Sequence, residues 1–161
     1  MNAEVEDLAG PFEVANQEAI AFAEACTDGQ WTAMVEGEGW PVGVVVHHIA
    51  AGHLLMLDWL GRASRGEAIT KTASEIDADN ARHARAFAGV GRADTVGELR
   101  RHGALLAHFI RGLTADELDT SVPFGPADGR AFTTRQLVSA AAGHCRTHLA
   151  DARGALEEGP C

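Results

Sequence analysis

Apolar side chains recur at helical spacing along almost the whole chain. Phe12, Ala15, Ala19, Phe22 and Cys26 step by 3, 4, 3 and 4, which predicts a first amphipathic helix that stops at Asp28 and Gly29. Gly37, Glu38 and Gly39 make a turn, and Pro41 suits the first turn of a second helix running to about Arg65. Two adjacent stripes mark that helix. One is Val42, Val46, Ile49, His53, Met56 and Leu60; the other is Val44, His48, Ala51 and Leu55. The charged, Ala-rich segment 74–87 predicts a shorter peripheral helix, closed off by Gly89 and Gly91. A third long helix, capped by Asp94 or Thr95, carries Val96, Leu99, Gly103, Leu106, Ile110 and Leu113.

Thr114 to Glu117 has the spacing of a capping box and predicts one further turn. Residues 120–132 hold two Pro and two Gly, so the segment is a long loop with room for a short hairpin. Thr133 or Thr134 then caps a last helix to about residue 158. Its core stripe is Val138, Ala142, Cys145, Leu149, Ala152 and Leu156. A second row, offset by one residue, reads Leu137, Ala141, His144, His148, Asp151 and Ala155. Four long amphipathic helices predict an all-α, antiparallel four-helix bundle with one short peripheral helix. The length fits a single domain over residues 1–161, with its bundle core at about 11–158 and a frayed tail ending in Cys161.

Composition narrows the function classes. Hydrophobic residues make up 46% and charged residues 22%, the balance of a folded soluble chain. A net charge of -10 repels phosphate backbones and argues against nucleic acid as a partner. The apolar stretches are broken by charge or Gly before reaching the ~20 residues of a membrane span, and the acidic start does not resemble a signal peptide. These features predict a cytoplasmic protein acting on a small molecule, with no membrane partner. Cys26, Cys145 and Cys161 are odd in number and far apart, a poor disulfide framework, and Cys145 reads as a small core residue.

The histidines hold the candidate chemistry. His144 and His148 stand at i and i+4, so both imidazoles leave one helix face about one turn apart. Such a pair can grip one cation, and a third imidazole from another helix would leave coordination positions open, as in catalytic metal sites. The pair borders the buried face, where it can equally face a pocket between helices or solvent. His47 and His48 point ~100° apart, so they cannot aim at one centre together. His53 lies on the apolar stripe and reads as a core or pocket-lining residue. His83, His102 and His108 read as surface residues, and Trp31, Trp40 and Trp59 as packing at the bundle ends.

The run from Trp40 through His48, closed by His144-x-x-x-His148 on the fourth long helix, resembles the DinB-like superfamily. That family includes the N-terminal domain of mycothiol-dependent maleylpyruvate isomerase and the bacillithiol-transferase-type proteins. Asp77 to Asn80 also resembles a segment found between the family's second and third bundle helices. The resemblance covers essentially the whole chain and favours His48 over His47. It implies a bundle that holds one divalent ion, commonly zinc or nickel, through His48, His144 and His148. It implies, too, activation of a low-molecular-weight thiol, mycothiol in character, for transfer to or isomerisation of a small electrophile. Where the family often continues with a Gly-Gln pair, this chain has Leu149, Ala150 and Asp151. Asp151 is then either a candidate partner for a ligand imidazole or a solvated acid, with Trp40 and His53 as candidate pocket residues. A non-catalytic metal or ligand scaffold of the same fold is the alternative, and a homodimer through an apolar row on the first or third long helix is the expected assembly.

Overall fold

A computed structural model describes residues 3–157, with side chains from Asp7 onward; the expected frayed tail and Cys161 lie outside the described residues. Four long helices carry the fold: α1 (Ala3–Ala25), α3 (Val42–Ser64), α5 (Arg92–Gly112) and α7 (Thr134–Glu157). Between them lie the short α2 (Asp28–Thr32), the peripheral α4 (Ala73–Ala86) and the single turn α6 (Ala115–Asp119). Two small antiparallel ribbons complete the described residues. One pairs β1 (Met34–Val35) with β2 (Trp40–Pro41), and the other pairs β3 (Ser121–Phe124) with β4 (Arg130–Thr133).

The long helices form a four-helix bundle in which each packs on two others. α3 lies against α5 and α7, and α1 lies against the same two, so α1 and α3 stand across a diagonal. Pair contacts give the directions. Arg100 meets Glu24 and Arg111 meets Glu13, so α5 runs antiparallel to α1. His48 meets His144 across the antiparallel α3/α7 contact. His47 meets Glu98 and the Ala50 carbonyl meets His102, so α3 and α5 run in the same direction, and the four-helix bundle expected is antiparallel only at the α1/α5 and α3/α7 contacts. The diagonal crossings are made by the α2–β1–β2 segment and by the β3–β4 hairpin.

Periodicity explains the core. Phe12, Leu60, Leu106, Ile110 and Leu137 are fully buried at one end. Ile49, Leu99, Cys145 and Leu149 are buried at the other. Each of the Phe, Ile and Leu side chains contributes about 1.5–3 kcal/mol through removal from water. α3 is long and apolar enough to cross a membrane by length and composition, contrary to the reading that no stretch reaches that size; 72% of its apolar window is buried inside the bundle, as befits a core helix.

Local chemistry moves several boundaries. Asp28 does not end a helix but begins α2, because Thr27 and Gln30 close a capping box. Trp31 of that helix is buried, and its indole N–H donates to the Val90 carbonyl at 3.0 Å. Thr72 caps α4 and Thr114 caps α6, each with a glutamate three residues on. α5 starts earlier than expected. Gly91 is its cap, and Thr95 is fully buried in the first turn with its hydroxyl donating to the Gly91 carbonyl at 3.0 Å. Thr133 and Gln136 make the reciprocal hydrogen bonds that open α7. In the 120–132 loop a hairpin does form. It reverses through Asp128 and Gly129, both in the left-handed region, which Gly adopts freely and Asp tolerates.

Candidate metal centre

α3 and α7 bring His48, His144 and His148 together. One ring nitrogen from each falls within 4.8 Å of the other two. Nε2 of His48 and Nε2 of His144 approach to 3.2 Å. The ring centroids lie 5.1 Å apart for His48 and His144, 4.8 Å for His48 and His148, and 4.6 Å for His144 and His148. Helical geometry accounts for the pair on α7, where a step of four residues stacks two side chains on one face. The antiparallel α3 then presents His48 to both.

Gly52, one turn after His48, makes the close approach fit. A Cβ there would lie 2.5 Å from Cε1 of His144, well inside contact distance. The missing side chain is the cradle for the His144 ring. Trp40 closes the other flank, edge-on to His48 with centroids 5.5 Å apart.

Burial sets the charge state of the cluster. His48 falls to about 3, first because burial penalises the charged ring and then because His144 and His148 would repel it. His144 also falls to about 3, by burial first and then by His148 and His53. Both rings are therefore neutral near pH 7 and keep a lone pair for a cation. Two imidazole nitrogens bound ~2.0–2.1 Å from one tetrahedral ion stand ~3.3 Å apart. The 3.2 Å approach of His48 and His144 matches that spacing. The donor set, the neutrality of His48 and His144 and the Gly52 cradle all fit a divalent metal ion that accepts imidazole.

An open cavity of about 750 Å³ lies between the β1–β2 turn and α7; none of the three histidines lines it, and Glu38 joins it to the cluster. Met34, Val35, Glu36 and Glu38 line one side, and Ala150, Asp151 and Ala155 the other. Glu38 borders both cavity and cluster. Its Oε1 is 2.8 Å from Nδ1 of His148, within ion-pair range but off the line of a hydrogen bond, and that buried nitrogen has no hydrogen-bond partner among the described residues. Glu38 and Asp151 each place an oxygen within 4.8 Å of each other and of a His148 nitrogen. Asp151 itself is exposed. Helical pattern drew attention to Asp151; Glu38 sits in a Gly-flanked turn, where no periodicity marks it.

Of the remaining histidines, His83 meets His48 edge-on with centroids 5.4 Å apart, while His47, His53 and His102 make separate contacts. His47 turns away from the cluster into the α3/α5 contact, with Nε2 2.9 Å from Glu98 and Nδ1 3.1 Å from Nε2 of His83. His83 and Phe87 stack on it with centroids 4.9 and 4.0 Å away. The expectation that His83 and His102 lie on the surface is corrected. Both are half-buried, and His102 donates from Nδ1 to the Ala50 carbonyl at 2.9 Å, because polar neighbours in sequence need not be neighbours in space. His108 is exposed. His53 is a core residue: it donates from Nε2 to Oδ1 of Asn16 at 2.8 Å and meets Phe12 edge-on. Asn16 in turn donates to the Leu99 carbonyl at 3.3 Å.

Cys145 is buried in the core with its thiol pushed up to about 12 by burial, and burial raises Cys26 as well. Burial thus disfavours the nucleophilic thiolate at both.

Fold and histidine cluster together describe a helical bundle with a candidate three-imidazole metal site. The sequence profile of the DinB superfamily matches residues 12–152, and the chain belongs to that superfamily. Among solved structures it resembles YfiT from Bacillus subtilis, described as a probable metal-dependent hydrolase with an unusual four-helix bundle topology. The TM-score is 0.76 at 17% sequence identity, over 96% of this chain and 87% of that one. At that identity the likeness speaks for the fold. No curated protein matches the sequence.

Proposed function

We propose that the protein is a metal-dependent transferase or isomerase that activates a low-molecular-weight thiol, of mycothiol type, for attack on a small electrophile. The observation that carries this reading is the convergence of His48, His144 and His148 beside an open cavity. The three imidazoles would hold one divalent ion, zinc or nickel. Such an ion supplies Lewis acidity, lowering the pKa of a bound thiol or water so that a nucleophile exists at neutral pH.

The chain's own residues do the rest. Burial keeps His48 and His144 neutral and available. Gly52 and Trp40 fix the rings from either side. The cavity would give a small substrate a place one side chain away from the cluster, with Glu38 and Asp151 as the acids between. Burial raises both described cysteines and disfavours their thiolates, so neither is well placed as a nucleophile. That supports a thiol cosubstrate. Water in the same role gives a hydrolase, a second reading favoured by the description of YfiT.

The wider proposal is a cytoplasmic enzyme with a small-molecule substrate that pairs as a homodimer. Val14 on α1 and Leu105 on α5 are large apolar side chains left 60% and 52% exposed on the helices expected to pair. Thiol-dependent turnover tests the function. Zinc- or nickel-loaded protein is incubated with mycothiol and other thiols and with chlorodinitrobenzene. Consumption of thiol and electrophile in equal amounts, absent in the metal-free protein, is the expected result. Turnover of ester substrates without thiol would move the assignment to hydrolysis. No turnover of either kind would favour a non-catalytic metal scaffold.

A further inference from the structure

Glu38 stands where the cavity meets the histidine cluster. It is carried on the turn joining β1 to β2, and that turn is pinned: the N–H groups of Glu38 and Gly39 both donate to the Val35 carbonyl, at 3.2 and 2.8 Å. Gly39 has φ 67, a conformation only glycine adopts at little cost. The turn thus delivers the Glu38 carboxylate to one place, 2.8 Å from Nδ1 of His148.

A neutral imidazole has one N–H and one lone pair, on different nitrogens. Which nitrogen keeps the proton depends on what each faces. A carboxylate next to Nδ1 favours the proton there, because an N–H can donate to the anion whereas a lone pair would face it with repulsion. A proton on Nδ1 leaves Nε2 as the only lone pair of the ring. Asp151 is the other acid near this ring, but it is exposed, while the Glu38 side chain is 23% exposed and sits on the pinned turn.

We propose that Glu38 is a positioning residue for His148: its carboxylate selects the Nδ1–H tautomer and so offers Nε2 to the cation shared with His48 and His144. This rests on the reading of the three histidines as ligands. The carboxylate lies off the N–H line at this distance, so its hold on the proton is chiefly electrostatic. Partners of this kind typically change metal affinity 10–100-fold when removed.

Two measurements test the role. Nitrogen-15 NMR of the histidine rings in metal-free protein reports the tautomer directly. Wild-type His148 is expected to be protonated on Nδ1, and Glu38→Ala to shift the proton toward Nε2. Zinc affinity, read by competition with a chromophoric chelator, is expected to fall about 10–100-fold in Glu38→Ala. Glu38→Gln, which keeps an acceptor oxygen, should lie between. Glu36→Ala removes the same charge from the same turn and should bind zinc like wild type. If Glu38→Ala does not fold, Glu38→Gln and Glu38→Asp carry the comparison. Equal affinity and tautomer in wild type and the Glu38 variants would overturn the role of Glu38 alone. Equal losses in the Glu36 and Glu38 variants would reduce it to bulk charge. A wild-type protein that takes up no zinc would overturn the ligand reading, and this role with it.

Discussion

The ring of His144 occupies the space that a Cβ on Gly52 would fill, with 2.5 Å between that Cβ and Cε1. A glycine in the middle of a long helix ordinarily costs about 1 kcal/mol relative to alanine. Here that cost accompanies an approach of α3 to α7 that lets His144 come within 3.2 Å of His48.

Gly52→Ala should therefore uncouple stability from metal binding. The added methyl favours the helix but displaces the His144 ring. We expect a folded protein, by circular dichroism, whose zinc affinity falls at least tenfold. Unchanged affinity would mean that the ring has another place to go.

His47 and His48 are adjacent in sequence and differ in role. His47→Ala removes the partner of Glu98 and of His83 and leaves both half-buried. It should lower unfolding free energy by about 1–3 kcal/mol while metal content stays at the wild-type level. His48→Ala should do the reverse: metal is lost, and the metal-free fold changes little. Urea melts alongside elemental analysis distinguish the two.

Acid should destabilise the metal-free protein in a defined window. His48, His53 and His144 all fall from 6.5 to about 3 in the folded state, each chiefly through burial. Below pH 6.5 the unfolded chain takes up protons that the folded chain refuses, so stability decreases as pH falls. The loss continues until the folded-state value near 3 is reached. Each histidine contributes a slope of up to ~1.4 kcal/mol per pH unit. Urea midpoints between pH 7 and 4 should drop steadily, and His53→Gln should shallow the slope. A flat profile would show that these rings titrate normally.

Much of this was legible from residue spacing. The four long helices follow from stripes such as Leu99, Leu106 and Ile110, because burial of one face imposes the helical period on the sequence. His144 and His148 were legible as a pair for the same reason. That His48 meets them was not, since spacing within one helix does not say which helix it faces; the resemblance around Trp40 supplied that pairing. Glu38 escaped notice because a turn has no period, and its relevance depends on the chain folding back over α7. His83 and His102 were misplaced because their sequence neighbours are polar, while their contacts come from α3, about 36 and 52 residues away. The α5 start was misjudged because Asp94 and Thr95 have good capping chemistry, yet Thr95 is spent inside the first turn.

The central claim is that His48, His144 and His148 hold one ion between them. Elemental analysis of untagged protein, purified without metal-affinity resin and beside His48→Ala, His144→Ala and His148→Ala, tests it most directly. The account predicts close to one zinc or nickel per wild-type chain and a small residue of it in each folded variant. Metal-free wild-type protein that also fails to take up added zinc, or variants that retain the wild-type metal content, would contradict it.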